Sequence, residues 1–327
     1  MDILTKKRHL KIMKIPNKVY PYRLPYMGSK QNIAYSLMLA IIQKKPKAKY
    51  FFDIFGGGAA ISLMAVQFGL KTFYTEKNAG IVNLLNFLKD NKIPKEWIKW
   101  ISRDDFKKCL GKNDPYSVFV SVVWSFGNNR QAYLFGKEIE ELKRLAFEII
   151  VNQDYKSLDK LQELSNKKLL MPKGNNIHDR RLKFCKQIKN IKSFSRGAKV
   201  LQSIDEIKKL ALTQSLTQIE CCSRLQQLEY LQQLEYLNNL PYKYDEVIIY
   251  CDPPYRNTAE YTDKDFNFKE FDEWVKKLKY DVFISEYNTS FEKIASFGKM
   301  SLLNNSKDKK PLITENLYFH KAELING

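Results

Sequence analysis

The stretch from Lys49 to Phe68 constrains the fold of this chain more tightly than any other. Lys49-Tyr50-Phe51-Phe52-Asp53-Ile54-Phe55 is a short apolar, aromatic run with the length and composition of a buried strand. Gly56, Gly57 and Gly58 break it, and residues 59–68 (AAISLMAVQF) follow as an apolar helix. Residues 71–75 (KTFYT) then read as a second short strand, and residues 78–88 as another helix. Strand, glycine turn, helix, strand is the opening of a doubly wound α/β sheet, because a helical crossover brings the second strand back parallel to the first. Upstream, residues 32–42 (NIAYSLMLAII) read as a helix that follows a Gly-Ser-Lys turn and is stopped by Pro46. The alternation resumes far downstream, at residues 247–251 (VIIYC), 271–278 and 282–285.

What lies between is different in kind. Residues 93–210 are Lys-rich and helical in pattern, with a loop-like stretch at 171–180 (MPKGNNIHDR). The expected fold class is α/β: a doubly wound, Rossmann-like sheet built from residues 21–92 and 243–327, with an inserted, mainly helical domain at 93–210. Residues 1–20 form a basic N-terminal arm without clear periodicity, and residues 211–242 connect the insertion back to the sheet. This connecting segment contains LQQLEY twice in tandem, at 225–230 and 231–236, and a degenerate copy, LNNLPY, at 237–242. Leucine at every third position drifts round a helix, so the stripe is not a coiled-coil seam. A solvated helix grown by tandem duplication fits it, as does a variable-length spacer or partner-binding helix.

Charge bounds the partners. Among 327 residues, 55 Lys and Arg stand against 36 Asp and Glu, a formal net charge of +19. Such a surface suits phosphate backbones, although a merely basic protein would carry it too. Cys109, Cys185, Cys221, Cys222 and Cys251 show no C-x-x-C spacing and read as reduced thiols; His9, His178 and His320 are far apart. No metal site is therefore expected. The first residues lack a signal peptide's apolar core and no run is long enough to span a bilayer, so the expectation is a soluble, cytoplasmic protein with no membrane partner.

Three clusters carry chemistry. Tyr250-Cys251-Asp252-Pro253-Pro254-Tyr255 follows an apolar strand, and ligands of open parallel sheets bind beyond strand carboxyl ends. The amino group of a nucleobase is a poor nucleophile because its lone pair is delocalised into the ring. A carboxylate (Asp252) and a stiffened backbone carbonyl (Pro253) that each accept one of its N–H groups free that lone pair, while Tyr255 offers a face for the ring. An ordinary strand-ending Asp-Pro-Pro turn would use the same residue types. In the second cluster, Asp53 precedes Phe55-Gly56-Gly57-Gly58, which lacks both the P-loop G-K-[ST] and the G-x-G-x-x-G spacing. Glu76 ends the next strand, about twenty residues on, where a carboxylate can grip ribose hydroxyls or simply favour a helix start. The third cluster is Pro25-Tyr26-Met27-Gly28-Ser29-Lys30. A lysine near a helix start is electrostatically disfavoured, which points Lys30 to a task elsewhere unless it merely faces solvent.

In this order the clusters resemble the Dam-like DNA adenine-N6 methyltransferases, and the likeness covers most of the chain. PYMGSK is similar to the family's N-terminal box, with Tyr26 and Lys30 in the places that meet cofactor and DNA. DIFGGGAAISL resembles the F-x-G-x-G cofactor loop, with Ala59 where the last glycine usually falls, and YCDPPY matches the catalytic box. FISEYNTS resembles the box that follows, except that Glu286 replaces the usual Asn; residues 306–319 look like the family's basic loop and closing strand. The resemblance implies a methyltransferase sheet whose insertion is the target-recognition domain, and S-adenosylmethionine as cofactor. It assigns Tyr26, Lys30, Asp53, Phe55, Gly56, Gly57, Gly58, Glu76 and Asp252 to the cofactor, and catalysis to Asp252, Pro253, Pro254 and Tyr255. Residues 122–135 (VVWSFGNNRQAYLF) are similar to a segment near the DNA, which makes Asn128, Asn129 and Arg130 candidate DNA-binding residues; a polar turn between packed aromatics is the plainer reading. The implied partner is double-stranded DNA, and a cognate restriction endonuclease is a candidate one. Cytosine N4 or RNA adenine as acceptor, and a non-catalytic DNA-binding protein on the same fold, are the rival readings.

Overall fold

A computed structural model of the chain describes residues 16, 19–188, 199–222, 225, 228–255, 266–300 and 312–322. The basic arm, apart from Pro16, Val19 and Tyr20, lies outside the described residues, as do residues 306–311 of the stretch read as basic loop and closing strand. The described residues form an α/β protein with a mixed sheet of seven strands: β1 (Tyr50–Asp53), β2 (Lys71–Tyr74), β3 (Ile219–Cys221), β4 (Val247–Cys251), β5 (Val282–Glu286), β6 (Glu292–Met300) and β7 (Leu312–His320). Their order across the sheet is β3-β2-β1-β4-β5-β7-β6. The first five run parallel, and β7 is antiparallel to both β5 and β6.

Alternating side chains explain why the sheet is buried on both faces. Phe51, Ile248, Tyr250, Phe283, Leu317 and Phe319 point to one face, where they meet α1 (Ala34–Lys44) and α2 (Ala60–Gln67) through residues such as Leu37, Ile41, Ile61 and Met64. Phe52, Val247, Ile249, Cys251, Val282 and Ile284 point to the other, against Phe271, Trp274 and Val275 of the helix Phe268–Lys276. Strand β1 stops at Asp53, two residues before the sequence pattern suggests, because Ile54 and Phe55 turn into the glycine loop. The edge strands β3 and β6 carry weak signals: the first is three residues long, and the second has glycine and lysine in its outer half.

The chain divides into two compact units: Met1–Tyr22, Ser29–Val82 and Gln214–Gly327 form the first, Arg23–Gly28 and Asn83–Thr213 the second. The boundary passes through helix α3 (Ala79–Asp90). The second unit is helical, with α4 (Arg103–Cys109), α5 (Pro115–Val123), α6 (Lys137–Asn152), α7 (Tyr155–Ser165), α8 (Ile177–Ile188) and α9 (Lys199–Ala211). Three of its helices start on ordinary caps: Ser102, Asp114 and Asp154 each accept the backbone N–H three residues on, and Pro115 occupies the first turn of α5. Phe119, Val122, Trp124, Phe147, Ile149 and Phe184 fill its core.

The tandem repeat is absorbed into the first unit. Its second copy lies in the helix Tyr230–Asn238, where six residues turn the helix by roughly 240° from one copy to the next. Equivalent leucines cannot share a face: Leu231 is 76% exposed while Leu237 is fully buried. The repeat also supplies its own start, because Glu229 of the first copy and Gln232 of the second form a reciprocal capping box.

Candidate active site at the switch point of the sheet

Strand β1 has β2 on one side and β4 on the other, so the connections leaving β1 and β4 diverge and open a crevice at their carboxyl ends. Asp53 ends β1 in register with Tyr250 of β4, two residues before Asp252. The two carboxylates singled out in the sequence are therefore neighbours, and Asp53 feels the charge of Asp252.

The glycine loop is shaped by the protein itself. At Gly56 a Cβ would come within 2.1 Å of the Tyr74 ring, so packing alone forbids a side chain there. Gly57 has φ +48°, donates its N–H to Glu76 Oε2 at 2.9 Å and accepts the Tyr74 hydroxyl at 2.7 Å. Ala59, standing in the last glycine's place, has φ +63°. Glu76 also accepts the Asn78 N–H, at 2.9 Å. It thus ties the loop to the start of α3.

Asp53 is the unusual acid. It is buried; Oδ2 accepts the Ser62 hydroxyl at 2.6 Å, while Oδ1 has no hydrogen-bond partner among the described residues. Burial pushes its pKa up to about 7; the Ser62 hydrogen bond opposes the shift, and the charges of Asp252 and Glu76 add to it.

Lys30 does not face solvent. Only 5% exposed, its ammonium lies 2.9 Å from Asp252 Oδ2, 3.7 Å from Glu315 Oε1 and 4.6 Å from the centre of the Tyr255 ring. Burial works against its charge, but Asp252 and then Glu315 outweigh that penalty and hold its pKa above the usual lysine value. The Tyr255 hydroxyl donates to Glu315, and its ring meets Tyr287 edge-on with centroids 4.5 Å apart. Partial burial, then Asp252 and Glu315, push the phenol well above its ordinary pKa, so it stays a donor. Glu286, in the place of the expected Asn, is buried and accepts the N–H of Tyr287 at 2.7 Å. Asn316 and Tyr318 both donate to the Tyr287 carbonyl, at 2.7 and 3.1 Å. Pro253 is buried, whereas Pro254, Phe55 and Gly56 are partly exposed and Gly58 is buried beside them.

The structure brings Lys30, Asp53, the glycine loop, Glu76 and Asp252–Tyr255 into one neighbourhood of the first unit. Tyr26 belongs to the second unit. Sequence reasoning missed Ser62, Tyr287, Glu315 and Asn316. Glu315 left a trace, an acid in register with Leu317 and Phe319 on an otherwise apolar strand face. Asn128, Asn129 and Arg130 lie in a tight loop of the second unit, closed by a bridge between Ser125 and Tyr133. Asn128 Nδ2 donates to the Val122 carbonyl at 3.1 Å, and Asn129 Oδ1 accepts the N–H groups of Gln131 and Ala132 at 2.9 and 3.1 Å. Arg130 donates through its backbone to Ser125 Oγ and through Nε to Ser121 Oγ. These contacts are those of the polar turn.

No family model matches the chain, and no curated protein matches it either. Among the described residues no helix is long and apolar enough to cross a membrane.

Proposed function

We propose that the chain is a site-specific DNA methyltransferase of the Dam-like class, transferring a methyl group from S-adenosylmethionine to N6 of adenine. One observation carries the reading. In a protein of net charge +19, Asp53, Glu76, Asp252 and Glu315 gather at the switch point with Lys30 paired among them. A basic surface with an acidic crevice suits a polyanionic substrate outside and a cationic cofactor inside. The sheet order also departs from the dinucleotide-binding 3-2-1-4-5-6 arrangement by placing the antiparallel β7 between β5 and β6, which disfavours a nicotinamide enzyme.

The residues fit the cofactor. Glu76, just beyond β2 and bonded to the glycine loop, is the carboxylate placed for ribose hydroxyls, and the buried Oδ1 of Asp53 can accept from a cationic N–H donor. When bound, S-adenosylmethionine supplies an electrophilic methyl group. Asp252 and the Pro253 carbonyl accept the two N–H groups of the flipped adenine, and the Tyr255 ring stacks on it; stacking of this kind is worth about 1–3 kcal/mol per base. Lys30 holds Asp252 in place through their ion pair. Positioning then does most of the work, which reaches about 7–11 kcal/mol for well-aligned groups. The helical second unit is the proposed target-recognition domain.

The deciding experiment is methylation of unmodified genomic DNA by purified protein with labelled S-adenosylmethionine, with modified bases mapped and Asp252→Ala as control. N6-methyladenine at one short motif, absent with the variant, is the expected result. Methylcytosine or labelled RNA would move the acceptor while keeping the chemistry. Failure to bind the cofactor at all would leave a DNA-binding protein on this fold.

A further inference from the structure

The ammonium of Lys30 lies between two carboxylates that the reaction does not treat alike. Asp252 must offer its oxygens to the amino group of the base, yet Lys30 sits within hydrogen-bond distance of Oδ2, at 2.9 Å. Glu315 lies on the other side at 3.7 Å, an ion-pair separation with no hydrogen bond made. It comes from β7, is 1% exposed, and also accepts the Tyr255 hydroxyl. Glu315 thus meets both Lys30 and Tyr255, while Lys30 already has Asp252 at hydrogen-bond distance as a counter-ion.

We propose that Glu315 is a positioning residue that takes over the Lys30 ammonium when the target amino group docks on Asp252. The assignment rests on the methyltransferase reading of the site and deepens it. In the resting protein Lys30 fixes the Asp252 carboxylate. An incoming N–H donor competes with the ammonium for the same oxygens. Movement of Nζ by less than the length of a bond brings it into hydrogen-bond range of Glu315, so the cation never loses a partner and Asp252 is released to the base. The same Glu315 carboxylate holds the Tyr255 hydroxyl, so the stacking ring and the displaced ammonium are set by one group. Without the charge of Glu315, Asp252 would be the nearer carboxylate left to Lys30 among the described residues, and Lys30 would hold it against the base.

Glu315→Gln tests this, since the amide keeps an acceptor for Tyr255 and removes the charge. At the mapped methylation site the variant is expected to lose about tenfold in kcat, with the Kd for S-adenosylmethionine and the melting temperature close to wild type. A readout without turnover accompanies it: duplex affinity in the presence of S-adenosylhomocysteine, for adenine against purine (which lacks the amino group) at the target position. The wild-type preference for adenine should shrink several-fold in the variant. Should the variant not fold, the Lys30 ammonium resonance in ¹⁵N-lysine-labelled wild-type protein is decisive, assigned by its loss in Lys30→Gln. It should move on binding the adenine duplex and stay when purine replaces adenine. Unchanged kcat and preference in Glu315→Gln, or an ammonium signal indifferent to the amino group, overturns the proposal. A wild-type protein that methylates no DNA defeats the methyltransferase reading instead.

Discussion

Two polar regions of this molecule differ in what they do with their hydrogen bonds. The loop of the second unit carries Asn128, Asn129 and Arg130, and its amide side chains close onto the backbone of their own turn. The carboxyl ends of β1 and β4 carry Asp53 and Asp252. There one buried oxygen has no hydrogen-bond partner among the described residues, and one ammonium is shared between two acids. A turn that only has to hold its shape satisfies its polar groups locally. A site prepared for a ligand keeps acceptors in reserve at the expense of stability, because a buried charge without full partners is costly. Residue type alone does not separate the two; the destination of each hydrogen bond does.

The contrast is sharpest at Asp252. Asp252→Asn should lower kcat by about 10²–10³, the usual effect of removing one hydrogen-bond partner made in the transition state. Affinity for S-adenosylmethionine should stay within about threefold, since the amide occupies the same space. Lys30 keeps Glu315 as its counter-ion, so the variant should still fold. Single-turnover kinetics beside cofactor titration read the two effects separately. A proportional fall in both would make Asp252 a cofactor residue and not the acceptor for the base.

Asp53 gives the next largest effect, and its sign is fixed by the shift. With a pKa near 7, its ionised fraction rises about tenfold between pH 6 and 8. A cationic ligand favours the ionised form, so cofactor affinity should tighten by up to that factor over the same range, with proton release on binding at pH 6.5. Stability runs the other way. The folded value lies above the ordinary 3.8, so Asp53's contribution is fully present below about pH 4 and is lost as pH climbs through 7. Asp53→Asn should flatten both trends. Calorimetry in buffers of different ionisation enthalpy checks this, and a wild-type affinity indifferent to pH would break the comparison at its centre.

How much of this was legible follows the same division. The D-P-P-Y box, the glycine loop and Glu76 were readable because each closes a short strand, and a strand end is a local pattern. Lys30 was half-readable: its poor fit to a helix start marked it as occupied elsewhere, but its partners come from β4 and β7, far along the chain. Glu315 was not readable as a site residue, since only the antiparallel insertion of β7 beside β5 carries it to Lys30. Gly56 was legible as a glycine, but the packing that requires it was not, since the Tyr74 ring that a Cβ would meet comes from the next strand. The local engagement of Asn128 and Asn129 was one of two open readings, and it depends on positive φ at Gly127, Asn128 and Arg130, which no periodicity announces.

The second-unit loop should respond weakly. Asn129→Ser keeps a side-chain oxygen able to accept the turn's N–H groups, so the fold should hold and DNA affinity should change less than about threefold. A good bidentate contact to a base is worth about 1–3 kcal/mol. A loss beyond tenfold confined to the mapped motif would therefore show that Asn129 also reads DNA, and the two loops would be less different than their hydrogen bonds imply. Binding to the motif and to a scrambled duplex, at one salt concentration, decides it.

The smallest effect concerns backbone strain, where the two loops can be compared directly. Ala59 and Asn128 both adopt left-handed conformations, with φ +63° and +59°. Asparagine tolerates that region and here adds a hydrogen bond to Val122, so Asn128→Gly should destabilise by about 1 kcal/mol, the worth of the lost bond. Ala59 has no such compensation. Ala59→Gly relieves roughly 1–2 kcal/mol of left-handed strain. Against this stand about 0.5–1 kcal/mol for the freer unfolded chain and about 0.8 kcal/mol for one buried methyl. These terms cancel to within about 1 kcal/mol, which is why alanine can stand where a glycine is usual. Thermal melting should therefore barely move for Ala59→Gly and fall for Asn128→Gly. If Ala59→Gly instead cost more than about 2 kcal/mol, the methyl would be locking the glycine loop in its ligand-ready shape, and the strain would belong to the site rather than be tolerated by it.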